Sequence, residues 1–326
     1  MSFLATHARW WWVRQPNKSR APGLIAPITN SSVGLFLASQ LFVASASVAQ
    51  ELEPRSYTNL PVGETFMAVG VVRSEGDIAP ANTTVIQDLE LTIDTGVVGL
   101  AHTFALGDDS AKVDLAVGRT CYEGSAIFQG EFVKGRRCEY VDPRVRLSWN
   151  FYGAPAMDLD EFAKWNPGLV MGASVQAVIP VGTYDSANLI NAGANRWMIR
   201  PGLGMSYKTG RWHYDLSASV RFYEDNDDFF DGNKVEQDPL YDLQGHLIYY
   251  LAHGRWISLN ANFYGGGETT VNRVNNKDSL ENSRWGATFS TPLSRRMSLK
   301  LYASTGVVTR TGSDFDTYGA ALQYRF

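Results

Sequence analysis

Residues 212–222 read Trp-His-Tyr-Asp-Leu-Ser-Ala-Ser-Val-Arg-Phe, a strict alternation of apolar and polar side chains. This period of two places the apolar residues on one face of a β-strand and the polar residues on the other. Residues 256–263 and 316–326 alternate in the same way. Several of the apolar faces begin or end in Trp or Tyr, as the aromatic girdle of a membrane barrel requires. The pattern predicts strands with hydrocarbon on one side and water on the other.

Segments of this kind recur through the chain, each near the roughly ten residues that a tilted membrane-spanning strand needs. They cover residues 64–73, 88–104, 111–120, 141–152, 168–180, 195–208, 211–223, 240–252, 255–265, 283–292, 296–306 and 316–326. An even strand number is typical of bacterial barrels. We therefore predict an all-β fold, a transmembrane antiparallel up-and-down β-barrel of about 12 strands that forms one domain over residues 50–326.

The connections between these segments differ in length on the two sides of the predicted barrel. Residues 208–211, 252–255 and 292–295 are short turns, whereas the connections 181–194, 224–239, 266–282 and 307–315 are long and polar. Outer-membrane barrels have short periplasmic turns and long external loops, so this asymmetry orients the molecule. Residues 153–166 form a long connection on the predicted periplasmic side, and the pattern gives no reason for it.

The composition and the N-terminus agree with an exported membrane protein. The 326 residues carry a net charge of -4, which excludes a nucleic-acid footprint, and a mean hydropathy of -0.18. The apolar residues 33–43 follow several Arg and Lys residues and precede Ser47-Val48-Ala49. This arrangement predicts a signal peptide over residues 1–49 with an unusually long basic region, so that Met1 need not be the true start. An N-terminal anchor helix is the alternative, although the run is short for a span.

Both cysteines of the chain, Cys121 and Cys138, lie in the exported part. In the oxidising periplasm or at the cell surface, a disulfide between them is expected. The alternating order of turns and loops places residues 121–138 in an external loop, which this disulfide would staple. Two free thiols are the alternative.

The sequence contains no specific catalytic motif. Gly-x-Ser-x-Gly, His-Glu-x-x-His, Cys-x-x-Cys and phosphate-binding loops are absent. Ser217 and His213 share one face of a strand, but a spacing of four residues separates them by about 13 Å, too far for a hydrogen bond. We predict that the chain is not an enzyme and has no catalytic residues, cofactor or metal.

The alternation assigns charges of both signs to the lumen. The predicted lumen-lining residues are Glu90, Asp94, Arg144, Arg146, Arg196, Arg200, His213, Asp215, Arg221, Asp242, His246 and Lys300. In one interpretation they line an aqueous path and select which solutes enter. In the other they form a salt-bridged lattice that fills a narrow barrel. Twelve strands lie between the filled small barrels and the open porins, and this size trend favours conduction.

Four aspartates, Asp225, Asp227, Asp228 and Asp231, crowd one predicted external loop. Oxygen ligands at this density are able to bind Ca²⁺ or to bridge cations to lipopolysaccharide. The loop lacks the full EF-hand pattern, and a solvated acidic loop is the more common reading of such a run.

An ordered set of short motifs resembles a known family, the outer-membrane proteins of the MetA-pathway of phenol degradation. The motifs are Val-Asp-Pro-Arg-Val-Arg-Leu at 141–147, Pro-Val-Gly-Thr-Tyr-Asp at 180–185, Asn-Arg-Trp at 195–197, Glu-Asp-Asn-Asp-Asp-Phe at 224–229, Asp-Pro-Leu-Tyr at 238–241, Gln-Gly-His-Leu at 244–247 and Gln-Tyr-Arg-Phe at 323–326. The resemblance covers residues 58–326 and implies a barrel associated with uptake of aromatic or hydrophobic compounds. Tyr324 and Phe326 resemble the C-terminal signal read by the barrel-assembly machinery. The long leader and the cysteine-bearing segment depart from the family pattern.

These observations lead to one functional hypothesis and two alternatives. The chain is expected to be a passive channel for small aromatic or other hydrophobic organic solutes in the outer membrane of a Gram-negative bacterium. Its expected partners are outer-membrane lipid and lipopolysaccharide, the barrel-assembly machinery and the solutes, but no nucleic acid. A non-conducting structural or adhesive barrel with partner-binding external loops is the first alternative, and a soluble secreted β-protein is the second.

Overall fold

The computed structural model describes residues 52–77, 86–128, 131–188, 190–309 and 314–326, so the predicted signal peptide lies outside the described residues. Strands dominate this part of the chain. Numbered in chain order they are β1 Thr65–Asp77, β2 Ile86–Leu106, β3 Asp109–Phe128, β4 Glu131–Tyr140, β5 Arg144–Tyr152, β6 Leu169–Val178, β7 Met198–Thr209, β8 Trp212–Tyr223, β9 Asn226–Phe229, β10 Asn233–Gln237, β11 Leu240–Tyr250, β12 Trp256–Gly266, β13 Thr269–Val271, β14 Val274–Asn275, β15 Leu280–Pro292, β16 Met297–Val308 and β17 Asp314–Arg325. One short helix, α1 (Leu159–Phe162), and a 3-10 turn, Ala252–Gly254, complete the elements.

Twelve antiparallel strands close into a barrel in which each strand pairs with its neighbours along the chain. Strands β4 and β5 pair one after the other with β3, so they act as a single strand interrupted at residues 141–143. Strand β1 pairs with β17 from Phe66 opposite Arg325 to Asp77 opposite Asp314, and this pairing closes the ring. The predicted fold class and strand number are confirmed.

The barrel wall is apolar outside and polar inside, the reverse of a water-soluble β-protein. On β12, the lipid-facing Leu259 is 62% exposed, whereas its neighbour Asn260 is 1% exposed. On β8, Leu216 faces outward while His213 is buried in the interior. The predicted alternation therefore describes the two faces of these strands correctly. Among the described residues, no helix is long and apolar enough to cross a bilayer.

Strands β2 and β3 continue well beyond the barrel wall. They have 21 and 20 residues, about twice what a tilted span requires. Their outer halves, together with β4 and the end of β1, form an external extension of the sheet. Within it Cys121 lies directly opposite Cys138, and the two form a disulfide. The disulfide is therefore confirmed, but it cross-links a paired hairpin and not a loop, because β3 and β4 continue the ladder beyond the membrane.

Two of the long external connections fold onto each other above the barrel. Strands β9 and β10 from one connection join β13 and β14 from the other in a separate four-stranded sheet. Phe229, Val235 and Val271 form its small hydrophobic core. These connections are long, as expected from the sequence, and they are also structured.

The long periplasmic connection 153–168 holds the N-terminal segment in place. The backbone N–H of Val62 donates to the carbonyl of Met157, and the side-chain amide of Asn59 donates to the carbonyl of Pro155. The N–H of Ala156 donates to the carbonyl of Asp108 in the neighbouring turn. The unexplained length of this connection thus has a structural reason, since the connection ties the N-terminal segment to the rim of the barrel.

Replacing Leu259 with arginine should block barrel assembly. A cation on the lipid face costs about 2–4 kcal/mol near the bilayer midplane. The heat-modifiable gel shift of outer-membrane fractions measures the folded fraction. Leu293→Arg is the matched control, because Leu293 lies in the short turn between β15 and β16, where the guanidinium reaches water. Equal assembly of both variants would contradict the assignment of faces.

Removing the disulfide by Cys121→Ser together with Cys138→Ser should leave the barrel folded but loosen the external extension. The closed wall does not include this cross-link, whereas a disulfide typically contributes about 2–4 kcal/mol to the segment that it joins. Limited trypsin digestion after Arg136 or Arg137 on β4 measures the effect. Faster cleavage with an unchanged gel shift is expected, and reduced wild-type protein should behave alike. Identical cleavage of all three forms would count against this account.

Candidate functional site in the barrel lumen

The N-terminal segment, residues 52–63, lies inside the barrel. Its Tyr57 hydroxyl is 2.9 Å from the hydroxyl of Ser174 on β6. The ring rests against Gly172 and Gly204, and a Cβ atom at Gly204 would lie 2.2 Å from it. Glycine on two adjacent strands therefore makes the space that the tyrosine ring occupies.

Arg55 fixes the next part of the segment near the periplasmic end. Its backbone N–H donates to the Asp215 carboxylate at 2.7 Å. Its guanidinium lies over the rings of Trp256, at 5.7 Å, and Tyr250, at 5.9 Å. Cation–π contacts of this kind stabilise a cation that is partly removed from water.

Glu53 reaches an arginine-rich part of the wall. Its carboxylate forms an ion pair with Arg146 on β5, and its backbone N–H donates to the side-chain oxygen of Gln244 at 3.2 Å. Arg146 also lies 3.4 Å from the carboxylate of Asp114 on β3. The N-terminal segment thus contributes its own carboxylate to the lumen.

Two further arginines lie on the lumen side of the wall, Arg200 on β7 and Arg221 on β8. The Asp242 carboxylate accepts from Arg200 at 3.0 Å and lies 3.7 Å from Arg221. Arg144, two residues before Arg146 on β5, also faces the lumen. Guanidinium groups bind carboxylates more strongly and with better defined geometry than ammonium groups do.

Arg196 lies at the external mouth, just before β7. It is 3% exposed, donates to the side-chain oxygen of Gln237 and stands 4.8 Å over the ring of Tyr223. Burial lowers the pKa of its guanidinium to about 10, so it keeps its charge at neutral pH. A cation therefore borders the path where it opens to the outside.

His213 lies near the periplasmic end of the lumen, in contact with three polar side chains. His213 Nε2 is 2.9 Å from Asp215 and also contacts the hydroxyl of Ser206, while Nδ1 is 3.3 Å from the Tyr250 hydroxyl. In a catalytic triad the serine and the carboxylate contact opposite ring nitrogens. Here both contact Nε2, so this arrangement does not reproduce a triad. His246 faces the lumen on β11, 2.9 Å from the side-chain oxygen of Asn260.

Glu90 and Asp94 do not face the lumen, and this part of the prediction is wrong. Both lie on the outer face of β2, where Arg73 of β1 pairs with Asp94 at 2.7 Å. Their neighbours Leu91 and Ile93 are buried instead. The physical reason is that this part of β2 stands in water beyond the membrane, so that its outer face is polar.

A cavity of about 820 Å³ runs beside the N-terminal segment. Its lining extends from Arg296 in the periplasmic turn after β15 to Phe315 at the external end of β17. Much of the wall on β1, β2 and β17 is made of small or apolar side chains, among them Ala68, Gly70, Val72, Val97, Gly99 and Ala321. The same strands also contribute Ser74, Thr95, Thr317, Gln323 and Arg325 to the lining. The lining on β1 and β2 is therefore largely apolar, and the lining on β5 and β8 is cationic.

Sequence reasoning missed several interior residues. Lys112 and Asp114 face the lumen on β3, 3.2 Å apart, and strand parity would have assigned them. Arg284 is buried on β15 and donates to Thr317 at 2.9 Å. Glu53, Arg55 and Tyr57 follow no strand period, so no pattern marked them. Lys300 lies in the lumen as assigned, with its Nζ 5.8 Å from the ring of Tyr302.

In the acidic external loop, a lysine stands among the carboxylates. Lys234 Nζ lies 2.7 Å from Asp225, 3.6 Å from Asp227 and 3.3 Å from Glu236. Asp228 and Asp231 bond through their backbones to residues of the 181–194 connection. No group of three or more His, Cys, Asp or Glu arranged for a metal ion occurs in the described ranges. Cation binding here stays a prediction, as does the assembly signal at Tyr324 and Phe326, whose rings are 5.1 Å apart.

Gly204→Ala should loosen the N-terminal segment, because the added methyl group would occupy the position of the Tyr57 ring. Maleimide modification of a reporter cysteine, Thr58→Cys, measures the release. We expect a several-fold faster reaction than in the reporter alone. Gly245→Ala is the matched control, since a Cβ there meets no atom within 4 Å. Equal rates in both variants would show that Tyr57 does not hold the segment.

Three solved structures illustrate the likeness of this fold to known barrels. The COG4313 outer membrane channel from Pseudomonas putida F1 superposes with a TM-score of 0.67 at 21% identity, over 85% of this chain and 100% of that chain. The β domain of the Bordetella autotransporter BrkA gives 0.47 at 11% identity, over 81% and 100%. A Pseudomonas aeruginosa FadL homologue gives 0.41 at 10%, over 84% and 94%. At 21% identity the first likeness shows the fold alone, and the last two superpose too weakly to carry an argument.

Comparison with curated protein sequences gives no match. A family model described as "Putative MetA-pathway of phenol degradation" matches residues 76–326, which is well over half of the chain. The closed barrel with its apolar exterior is a protein of the Gram-negative outer membrane. The chain belongs to the MetA-pathway of phenol degradation family, as its motifs predicted.

Proposed function

We propose that this barrel is a passive outer-membrane channel for small aromatic or other hydrophobic organic solutes. The observation that carries the proposal is the cavity of about 820 Å³ whose lining reaches from the periplasmic turn at Arg296 to the external end at Phe315. A cavity of this size accommodates a small organic molecule, since ligand sites commonly measure about 300–1,000 Å³.

The apolar part of the lining favours solutes with a hydrocarbon body. Ala68, Gly70 and Val72 on β1 face the cavity, whereas a water-filled porin presents polar side chains at such positions. On the neighbouring strands β16 and β17, the aromatic ring of Tyr302 lies against Gly319. A planar aromatic solute would find apolar contact along this wall. The family description, which connects its members with phenol degradation, supports the same solute class.

The N-terminal segment sets the width of the path. It crosses the lumen from the level of Gln244 to the periplasmic rim, held by hydrogen bonds, an ion pair and ring contacts. The cavity lies between this segment and the barrel wall, to which β1, β2 and β17 contribute its small and apolar lining residues. A solute would therefore pass along the apolar wall while the segment excludes larger molecules.

Filling the apolar side of the cavity should reduce transport. Ala321→Trp places a bulky ring into the lumen, whereas Ala320→Trp, one residue earlier on β17, places the same ring on the lipid face. We expect Ala321→Trp to lower planar-bilayer conductance, liposome swelling and growth of a complemented deletion strain on aromatic carbon sources. Ala320→Trp should match the wild type in all three.

The controls distinguish a variant that fails to fold from a folded variant that no longer conducts. Both variants must show the heat-modifiable gel shift of a folded barrel. A folded wild-type protein that neither conducts in bilayers nor supports liposome swelling would remove the channel proposal. Equal activity of the two tryptophan variants would show that solutes do not use this cavity.

The four-stranded external sheet favours one other candidate function, adhesion through the external loops. Its core of Phe229, Val235 and Val271 gives the loops an ordered surface that a bare channel does not require. Deleting residues 224–239 should then abolish binding to the surface partner while aromatic uptake persists. Loss of uptake with unchanged surface binding would favour the channel.

A further inference from the structure

The cationic side of the cavity has a defined composition. Arg144 and Arg146 on β5, Arg196 before β7 and Arg221 on β8 all border the cavity. Of the described residues that line it, ten are basic, and the acidic ones are Glu53, Asp114 and Asp142. Two of the basic residues, Arg221 and Arg325, have carboxylate partners outside the lining, Asp242 and Glu64. The balance of charge remains positive when these two carboxylates are counted. Such a surface attracts anions into the lumen and repels cations.

One of the three acidic groups does not belong to the barrel wall. Glu53 comes from the N-terminal segment, and its carboxylate pairs with Arg146 while the side chains of both residues remain 18–19% exposed. The hydroxyl of Ser56 lies 3.3 Å from the same carboxylate and 2.7 Å from the carbonyl of Glu53. A carboxylate carried on a noncovalently held segment thus occupies the arginine wall at the edge of the cavity.

The lining on β1 and β2, which is separated from β5 only by β3, is largely apolar, with Ala68, Gly70 and Val97 facing the same space. A ligand that satisfies both walls carries a hydrocarbon body and a single negative charge. A neutral hydrocarbon would use only one wall, and a small inorganic anion would use only the other.

We infer that this cavity is a binding site for small amphipathic carboxylates, aromatic acids among them, and that Glu53 is the internal carboxylate which the solute replaces on Arg146. The inference rests on the proposed function for its place in transport, because a bound solute must reach the lumen from outside. Exchange of one carboxylate for another leaves Arg146 paired throughout. The segment would loosen when Glu53 is displaced, since the ion pair is one of its main contacts with the wall.

Isothermal titration of the protein purified from outer membranes tests the site with three probes of similar shape. They are benzoate, the neutral benzamide and the cationic benzylammonium. We expect benzoate to bind, and benzamide and benzylammonium to bind at least tenfold more weakly, because a charge-assisted hydrogen bond is worth roughly a factor of ten or more. Equal affinity for benzoate and benzamide, or preference for benzylammonium, would overturn the inference.

Variants test the role of Glu53. Glu53→Gln removes the competing charge at constant size, so it should tighten benzoate binding about tenfold and leave benzamide unchanged. Arg146→Gln should weaken benzoate about tenfold, and Arg144→Gln provides a second variant if that protein folds poorly. Glu75→Gln, an identical change of charge on the outer face of β1, is the matched control and should have no effect. If Glu53→Gln leaves benzoate binding unchanged, Glu53 is not the competitor.

Conductance of the same preparations distinguishes the two proposals. If benzoate binds with the expected variant pattern but neither bilayers nor liposomes show a path, the anion site stands and the channel proposal fails. If the protein conducts but discriminates neither benzoate from benzamide nor wild type from Glu53→Gln, the channel stands and the anion site fails.

Discussion

The whole structure depends on one requirement: within the hydrocarbon of the bilayer, every backbone N–H and C=O group must have a hydrogen-bond partner in the protein. A sheet meets this demand only when its two edges pair with each other. Here β1 and β17 do so, from Phe66 opposite Arg325 onward. An open sheet would expose two unpaired edges to lipid, at a cost of several kcal/mol for each polar group. Once the barrel is closed, strand parity sets the direction of the side chains in the wall, except at the register shifts such as the one between Trp149 and Tyr152 on β5.

Closure of twelve strands also creates an interior that the wall does not fill by itself. Smaller barrels pack their lumen with their own side chains, and larger ones enclose water. This barrel places part of its own chain inside, and the wall is shaped to receive it, since Gly172 and Gly204 leave room for the Tyr57 ring. The periplasmic connection 153–168 then holds this segment at the rim through Met157 and Pro155. The N-terminal segment and the long periplasmic connection therefore form one structural unit.

The sequence was sufficient for the strands whose two faces lie in different solvents. On β8 and β12 the change from lipid to a polar lumen is complete, and the alternation is correspondingly clear. On β1 the pattern is blurred because Val69 and Val71 face lipid while Gly70 and Val72 face an apolar stretch of the lumen. A strand that is apolar on both faces shows no period of two, although in this case the run marks an apolar part of the cavity lining.

Other features of the site depend on information that periodicity does not contain. Glu90 and Asp94 were assigned to the lumen because the alternation does not show where the membrane ends along β2. Ser206 meets His213 only through the register of two paired strands. Residues 52–63 have no strand pattern, so their position inside the barrel follows only from their contacts with the wall.

The distribution of charge bears on the alternative that the lumenal charges form a lattice that simply fills the barrel. A lattice that only stabilises the interior needs nearly equal numbers of both signs, because each ion removed from water costs several kcal/mol unless it is paired. Asp242 does serve such a role between Arg200 and Arg221. Around the cavity, basic residues still outnumber acidic ones within the described part of the chain when Asp242 and Glu64, the partners of Arg221 and Arg325, are counted. A structural lattice alone gives no reason for this excess, whereas the proposed action of the charge on solutes in the lumen does.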